Sequence, residues 1–144
     1  MGPAAGDHAP SIDAELTAAG VALQAAGIAL SVTSRSGRVD AMHETSVAWT
    51  LREAVTNVVK HSGAHQCRIS IEVVDGVTQL EVVDDGCGRA AGTPGIGLAG
   101  MADRVLALGG AFEAGRRDGD TGGFRGRASF GAAALAPSNA GTVR

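Results

Sequence analysis

The sequence predicts an α/β domain of two layers, a mixed and mostly antiparallel sheet with helices on one face. Three observations predict it. Apolar residues recur at helical spacing in three separated stretches, and shorter segments between and after them alternate apolar with polar residues. Two of those short segments are joined by Asp75-Gly76, the strongest local signal for a hairpin. The resulting order of helix, strand, helix, strand, strand, helix, strand, strand does not alternate regularly, which argues against a doubly wound nucleotide fold. With 144 residues, 44% of them hydrophobic, one domain with one core is expected.

Each element follows from local chemistry. Residues 1–10 mix Gly, Pro and Ala without periodicity and are read as a disordered or leftover leader, the domain as residues 11–136, and residues 137–144 as a flexible tail. Over 11–26, Ile12, Leu16, Ala19, Leu23 and Ala26 form a helical stripe, with Ser11 as N-cap and Gly27 as terminator. Residues 28–33 alternate as a half-buried strand and 34–38 form a polar turn. A long helix over 40–61 places Met42, Val47, Leu51, Ala54, Val55, Val58 and Val59 on its apolar stripe and stops at Ser62-Gly63. Strands 67–74 and 77–83 make the hairpin, and a glycine-rich loop spans 84–97. A helix over 98–108 turns Met101, Val105 and Leu108 inward and closes at Gly109-Gly110. Residues 111–117 read as a strand, 118–123 as a loop and 124–135 as a weak last strand.

Charge and composition narrow the function classes. A formal net charge of −3 offers no broad positive field for nucleic acid or an anionic membrane. Apolar runs fall short of the ~20 residues that cross a bilayer, so no direct membrane contact is expected. The two cysteines, Cys67 and Cys87, without a charged leader and apolar stretch before them, point to a reduced, cytoplasmic setting, whether or not a parent protein is anchored. Twenty-two glycines beside 3% aromatic residues predict loops that wrap a ligand.

Three stations carry candidate chemistry. On the long helix Glu53, Asn57 and one of Lys60 or His61 are about a turn apart, on a face opposed to the apolar stripe. Together they could accept a proton, complete a Mg²⁺ shell and touch a phosphate; the plain alternative is a solvated polar face. At the end of the second hairpin strand stands Asp84-Asp85-Gly86-Cys87-Gly88, where a carboxylate can accept from an exocyclic amine and alternate glycines let a planar base approach; it also reads as an Asp/Gly turn. Gly95-Ile96-Gly97-Leu98 enters the next helix, whose unpaired N–H groups and dipole suit an anion. The string Gly95-Ile96-Gly97-Leu98-Ala99-Gly100 formally matches a dinucleotide fingerprint, but it follows a Gly/Pro-rich loop, and no Walker-type Gly-Lys-Ser/Thr occurs. His61, His65 and Cys67 fit no zinc spacing, and no Gly-x-Ser-x-Gly elbow is present.

In this order the motifs resemble one family, the ATP-binding catalytic domain of histidine kinases, within the GHKL superfamily that includes gyrase and the mismatch-repair ATPases. The run from Leu51 to Ser62 looks like its N box, Asp84 to Gly88 its first glycine box and Gly95 to Leu98 its second. Gly100-Met101-Ala102-Asp103-Arg104-Val105 with Leu108-Gly109-Gly110 is similar to the NarX/DesK-type branch. The resemblance implies a Bergerat-type ATP-binding fold with ATP and Mg²⁺ as cofactors. It implies that Asn57 coordinates the metal, that Asp84 binds the adenine amine with Gly86 and Gly88 leaving room for the base, and that Lys60 or His61 touches phosphates. Gly95, Gly97 and Leu98 would flank the triphosphate, residues 89–94 would form a short lid, and Glu53 would be the acid/base or orienting residue beside the phosphate acceptor.

Departures from the family pattern are informative. Gly126 and Gly131 stand where an apolar strand residue and a proline are expected. None of His8, His43, His61 or His65 lies in a His-Asp helical context, so the acceptor histidine is expected on a separate dimerisation and phosphotransfer domain, with a LuxR-type response regulator as the indirect partner. The fragment alone is then nearly inactive. Two alternatives are a serine kinase of the same superfamily acting on an anti-sigma antagonist, and a non-catalytic nucleotide-dependent interaction module.

Overall fold

In a computed structural model of the chain, the structure describes residues 10–86, 96–116 and 123–131. The first helix, α1 (Ile12–Ala25), begins where Ser11, in extended backbone, accepts a hydrogen bond from the Ala14 N–H through its Oγ at 3.1 Å. It ends in paired turns, Gly27 N–H to the Gln24 carbonyl at 3.0 Å and Ile28 N–H to the Leu23 carbonyl at 2.8 Å. That pattern needs a left-handed residue, and Gly27 supplies it at φ +78°.

Strand β1 (Ala29–Ser36) runs three residues beyond the expected end, and the turn falls at Gly37 instead. It pairs in parallel with β2 (Gln66–Val74), with a register shift between Val32 and Ser34. Asp75 and Gly76 both take positive φ, 53° and 79°, the hairpin geometry that matches strand twist, and β3 (Val77–Asp84) returns antiparallel. With β4 (Gly110–Arg116) and β5 (Phe124–Phe130) the sheet order is β1-β2-β3-β5-β4, every pair but the first antiparallel. The expected mixed, mostly antiparallel sheet is borne out.

The long helix α2 (Ala41–Asn57) continues into a π-helical turn, Val58–Ser62, before Gly63 reverses at φ +65°. Val47, Leu51, Val55 and Val58 are buried as expected, joined by Ala48. Four residues assigned inward lie outward. Met42 is 76% exposed because nine residues, two and a half turns, separate it from Leu51. Val59, 37% exposed, is rotated off the stripe by the wider π turn, while Ala26 and Leu108 stand just past the ends of α1 and α3. Helix α3 (Ile96–Ala107) buries Met101 and Val105.

All three described helices lie on one face of the sheet. Cys67, Ile69 and Ile71 of β2, Leu80 and Val82 of β3, and Ala128 and Phe130 of β5 face them and are buried. The opposite face carries Arg68, Glu81, Arg125 and Arg127, with Glu81 receiving Arg127 at 2.9 Å. Among the described residues no helix is long and apolar enough to cross a membrane. The part of the last strand beyond residue 131, the leader and the tail lie outside the described residues.

Candidate functional site

Asp84 ends β3 at a position that faces the helices, and it is 6% exposed. Its Oδ1 accepts the N–H of Gly86 at 2.8 Å, which folds the chain away from the strand in an Asx-type turn. Asp85 does a different job. Its Oδ1 accepts the backbone N–H groups of His65 and Gln66, both at 2.8 Å, and its own N–H donates to the Gln66 carbonyl at 3.2 Å. Partial burial pushes the Asp85 carboxyl up, but the N–H groups of Gln66 and His65 outweigh it and hold the group below the usual carboxylate range. Asp85 is therefore a strut that ties the end of β3 to the start of β2, so the position of Asp84 is fixed from behind.

Between the helices and the sheet lies an open cleft. Thr50, Ala54, Asn57 and Val58 form the α2 side and Met101 the α3 side. Leu80, Val82 and Asp84 of β3, Phe124, Gly126 and Ala128 of β5, and Phe112 of β4 form the floor. Among the described residues the lining is apolar except at Thr50, the Asp84 carboxylate and the Asn57 amide. That is the composition of a small-molecule site, where apolar walls supply contact and few polar groups set orientation.

Asn57 brings an unpaired amide donor to the cleft wall. Its Nδ2 is buried and finds no hydrogen-bond partner among the described residues. A buried amide left unpaired costs about 1–3 kcal/mol, so this donor is available to a group bound in the cleft. Among the described residues no group of three or more His, Cys, Asp or Glu stands together. A metal here would arrive with most of its own ligands, as Mg²⁺ does with phosphate, and an amide oxygen is an acceptable additional donor.

The expected helix face does not hold together as one surface. Asn57 borders the apolar stripe, with Ala54 and Val58 beside it in the cleft, rather than opposing it. Glu53 is not among the residues that line the cleft; its carboxylate stands 3.9 Å from Arg104 of α3, and Lys60 is exposed. Gly97 and Leu98 lie in the first turn of α3, where backbone N–H groups have no partner within the helix. Gly88, Gly95, the 89–94 segment and the side chain of His61 lie outside the described residues.

The reading of the sequence overlooked Thr50, Phe112, Phe124 and Ala128 as lining residues. Strand alternation held a signal for two of them, since Phe124 and Ala128 are in phase with buried Phe130 on β5. Cys67, directly opposite Asp84 in the ladder, is buried, and burial foremost, then the charges of Asp84 and Asp85, push its thiol up to about 12. It is an inert packing residue rather than a nucleophile.

No family model matches the chain. Over 70 residues, 46% of its length, it is 37% identical to the sensor histidine kinase DesK of Bacillus subtilis, covering 19% of that protein. Over 67 residues, 42% of its length, it is 40% identical to the sensor histidine kinase NarS of Mycobacterium tuberculosis, covering 16% of it. The matched part thus spans no more than about a fifth of either relative. In three dimensions the chain is similar to the Acinetobacter baumannii histidine kinase AdeS, with a TM-score of 0.65 at 22% identity over 83% of this chain and 62% of that one. It is also similar to the catalytic domain of histidine kinase ThkA, with a TM-score of 0.62 at 14% identity over 84% of this chain and 93% of that one. The α/β fold is the one these histidine kinase structures share.

Proposed function

We propose that this chain is the ATP-binding catalytic domain of a bacterial two-component sensor histidine kinase, which donates the γ-phosphate of ATP to a histidine on a separate domain. One observation carries the reading: Asn57 of α2 and Asp84 of β3 stand on facing walls of one apolar cleft. The similarity to DesK and NarS supports the same reading.

In this reading the chain supplies position and charge, which is most of what phosphoryl transfer requires. The Asp84 carboxylate accepts a hydrogen bond from the exocyclic amine of adenine, while the apolar floor packs against the ring. Asn57 would hold Mg²⁺ through its amide oxygen, and the bound ion neutralises phosphate charge when present. Gly97 and Leu98 direct N–H groups of the first turn of α3 at phosphate oxygens. Glu53, beside Arg104, orients the incoming imidazole or accepts its proton. Lys60 and His61 contribute charge toward the phosphates. The acceptor lies on a dimerisation and phosphotransfer domain, and a LuxR-type regulator is the onward partner.

Thermal unfolding with and without Mg·ATP tests this reading. At a nucleotide concentration 100 times the dissociation constant, stability rises by about 2.7 kcal/mol, and the midpoint by roughly 6–10 °C. No shift at millimolar Mg·ATP would remove the assignment. Transfer of labelled phosphate to an added histidine-bearing domain, and not to a serine substrate, completes the test.

A further inference from the structure

The floor of the cleft has a gap where most strands would carry a side chain. On β5 the residues facing the helices are Phe124, Gly126, Ala128 and Phe130, so one of the lining positions, Gly126, has no side chain at all. Among the described residues, a Cβ placed at Gly126 would meet only the Phe112 ring within 4 Å, its Cε1 and Cζ both at 3.7 Å. Ordinary van der Waals contact on one side and nothing else means that no described residue fills the space above. Gly110, on the neighbouring strand, shows the contrast, because a Cβ there would fall 2.6 Å from the Phe130 ring. One glycine admits a neighbour; the other leaves a recess.

The ladder places that recess relative to Asp84. Asp84 is opposite Phe124 and Val82 is opposite Gly126, so Gly126 is the diagonal neighbour of Asp84 on the same face. Diagonal neighbours in an antiparallel pair stand about 7–8 Å apart, a span that one aromatic ring bridges. Val82, Phe112 and Ala128 line the same cleft, all three apolar, so an apolar group beside Gly126 meets apolar neighbours.

Resting on the reading that the cleft takes ATP with its amine at Asp84, we propose that the Gly126 recess lets this domain accept adenine nucleotides enlarged by an apolar group on that amine. Gly126 is then the residue that sets this tolerance. A singly substituted amine keeps one N–H, so the hydrogen bond to Asp84 survives while the substituent lies along the floor against Phe112. Valine at position 126 occupies the same space and excludes the substituent without touching the polar contacts.

The experiment is calorimetry of the full chain with Mg²⁺ and either ATP or N6-benzyl-ATP, on the parent, Gly126→Val and Gly126→Ala. The parent binds both nucleotides within about tenfold of each other, and Gly126→Val, which lies in the floor that ATP also uses, weakens N6-benzyl-ATP by about tenfold more than it weakens ATP. Measurable ATP binding shows that the variant is folded, and Gly126→Ala, whose Cβ fits at 3.7 Å, gives a smaller shift of the same preference if valine prevents folding. A parent that binds ATP but rejects N6-benzyl-ATP overturns the proposal, as does a valine variant that weakens both nucleotides alike. A parent that binds neither removes the ATP reading itself, an outcome distinct from the other two.

Discussion

Arg52 reaches across 37 positions to Glu15 and closes a 2.6 Å contact between α2 and α1. Glu15 is 8% exposed, so its carboxylate depends on that partner, while Arg52 also lies 4.5 Å over the ring of Trp49. Helix α1 is held a second time, through the Ile12 N–H donating to Glu44 of α2 at 2.8 Å. The N-terminal helix is therefore anchored to the helix that carries Asn57.

Arg52→Ala leaves the Glu15 carboxylate with no cation to pair it. Because the arginine itself is half exposed, the loss is well short of that for a fully buried pair, about 1–2 kcal/mol or roughly 2–6 °C in midpoint. Trp49 is the only tryptophan, so its emission reports the loss of the stacked guanidinium directly. Glu15→Gln removes the buried charge and is milder. An unchanged midpoint and an unchanged emission spectrum in Arg52→Ala would show that the contact contributes nothing.

Asp85 should leave a signature in acid. Its carboxyl titrates below the usual range in the folded chain, so its contribution is present above the unfolded value of about 3.9 and fades as pH falls through the lower folded value. Asn at this position keeps the shape but offers a neutral acceptor, and charge-assisted hydrogen bonds are about twice as strong as neutral ones. Asp85→Asn therefore lowers stability by roughly 1–2 kcal/mol at pH 7, and the gap to the parent narrows below pH ~4. Urea midpoints at pH 7, 5 and 3.5 measure it, and a gap of constant size would rule out the strut as a charged one.

What could be read from the sequence was local chemistry. Ser11 as a cap, Gly27 as a terminator and Asp75-Gly76 as a turn each depend on residues within five positions, and each stands where it was expected. Val59 was misplaced because a π turn at the end of α2 shifts its angle, and nothing in an apolar repeat announces that shift. Asp84 was identified by its glycine neighbours, but the division of labour between it and Asp85 depends on β2, nearly twenty residues away in sequence. Phe112 and Gly126 come together only through the β4–β5 register, so the floor of the cleft could not be assembled from motifs.

The two polar walls of the cleft separate by mutation. Asp84→Asn loses the charged acceptor and turns an N–H toward the adenine amine, so ATP affinity falls by about ten- to a hundredfold with or without metal. Asn57→Ala instead abolishes the Mg²⁺ dependence of nucleotide binding. Glu53→Gln leaves affinity within about threefold and slows transfer to the acceptor histidine. Calorimetry with and without Mg²⁺ distinguishes the three. Full ATP affinity in Asp84→Asn would take Asp84 out of the adenine site, and an unaltered metal dependence in Asn57→Ala would take Asn57 out of the metal site.

Gly110 is the glycine that packing requires, and alanine there tests the claim. A Cβ would lie 2.6 Å from two atoms of the Phe130 ring and 2.7 Å from the Ser129 carbonyl oxygen, closer than such atoms can approach. Phe130 is 1% exposed and closes the core at the end of β5, so its ring has nowhere to retreat. The Ser129 carbonyl belongs to the backbone of the paired strand and can move only with it. Gly110→Ala therefore destabilises by about 1–3 kcal/mol through overpacking, whereas Gly126→Ala, with free space around it, is neutral or raises stability by about 0.4–1 kcal/mol by restricting the unfolded chain. Thermal unfolding of the two variants side by side checks the pair, and equal midpoints would mean that Phe130 yields more readily than its burial implies.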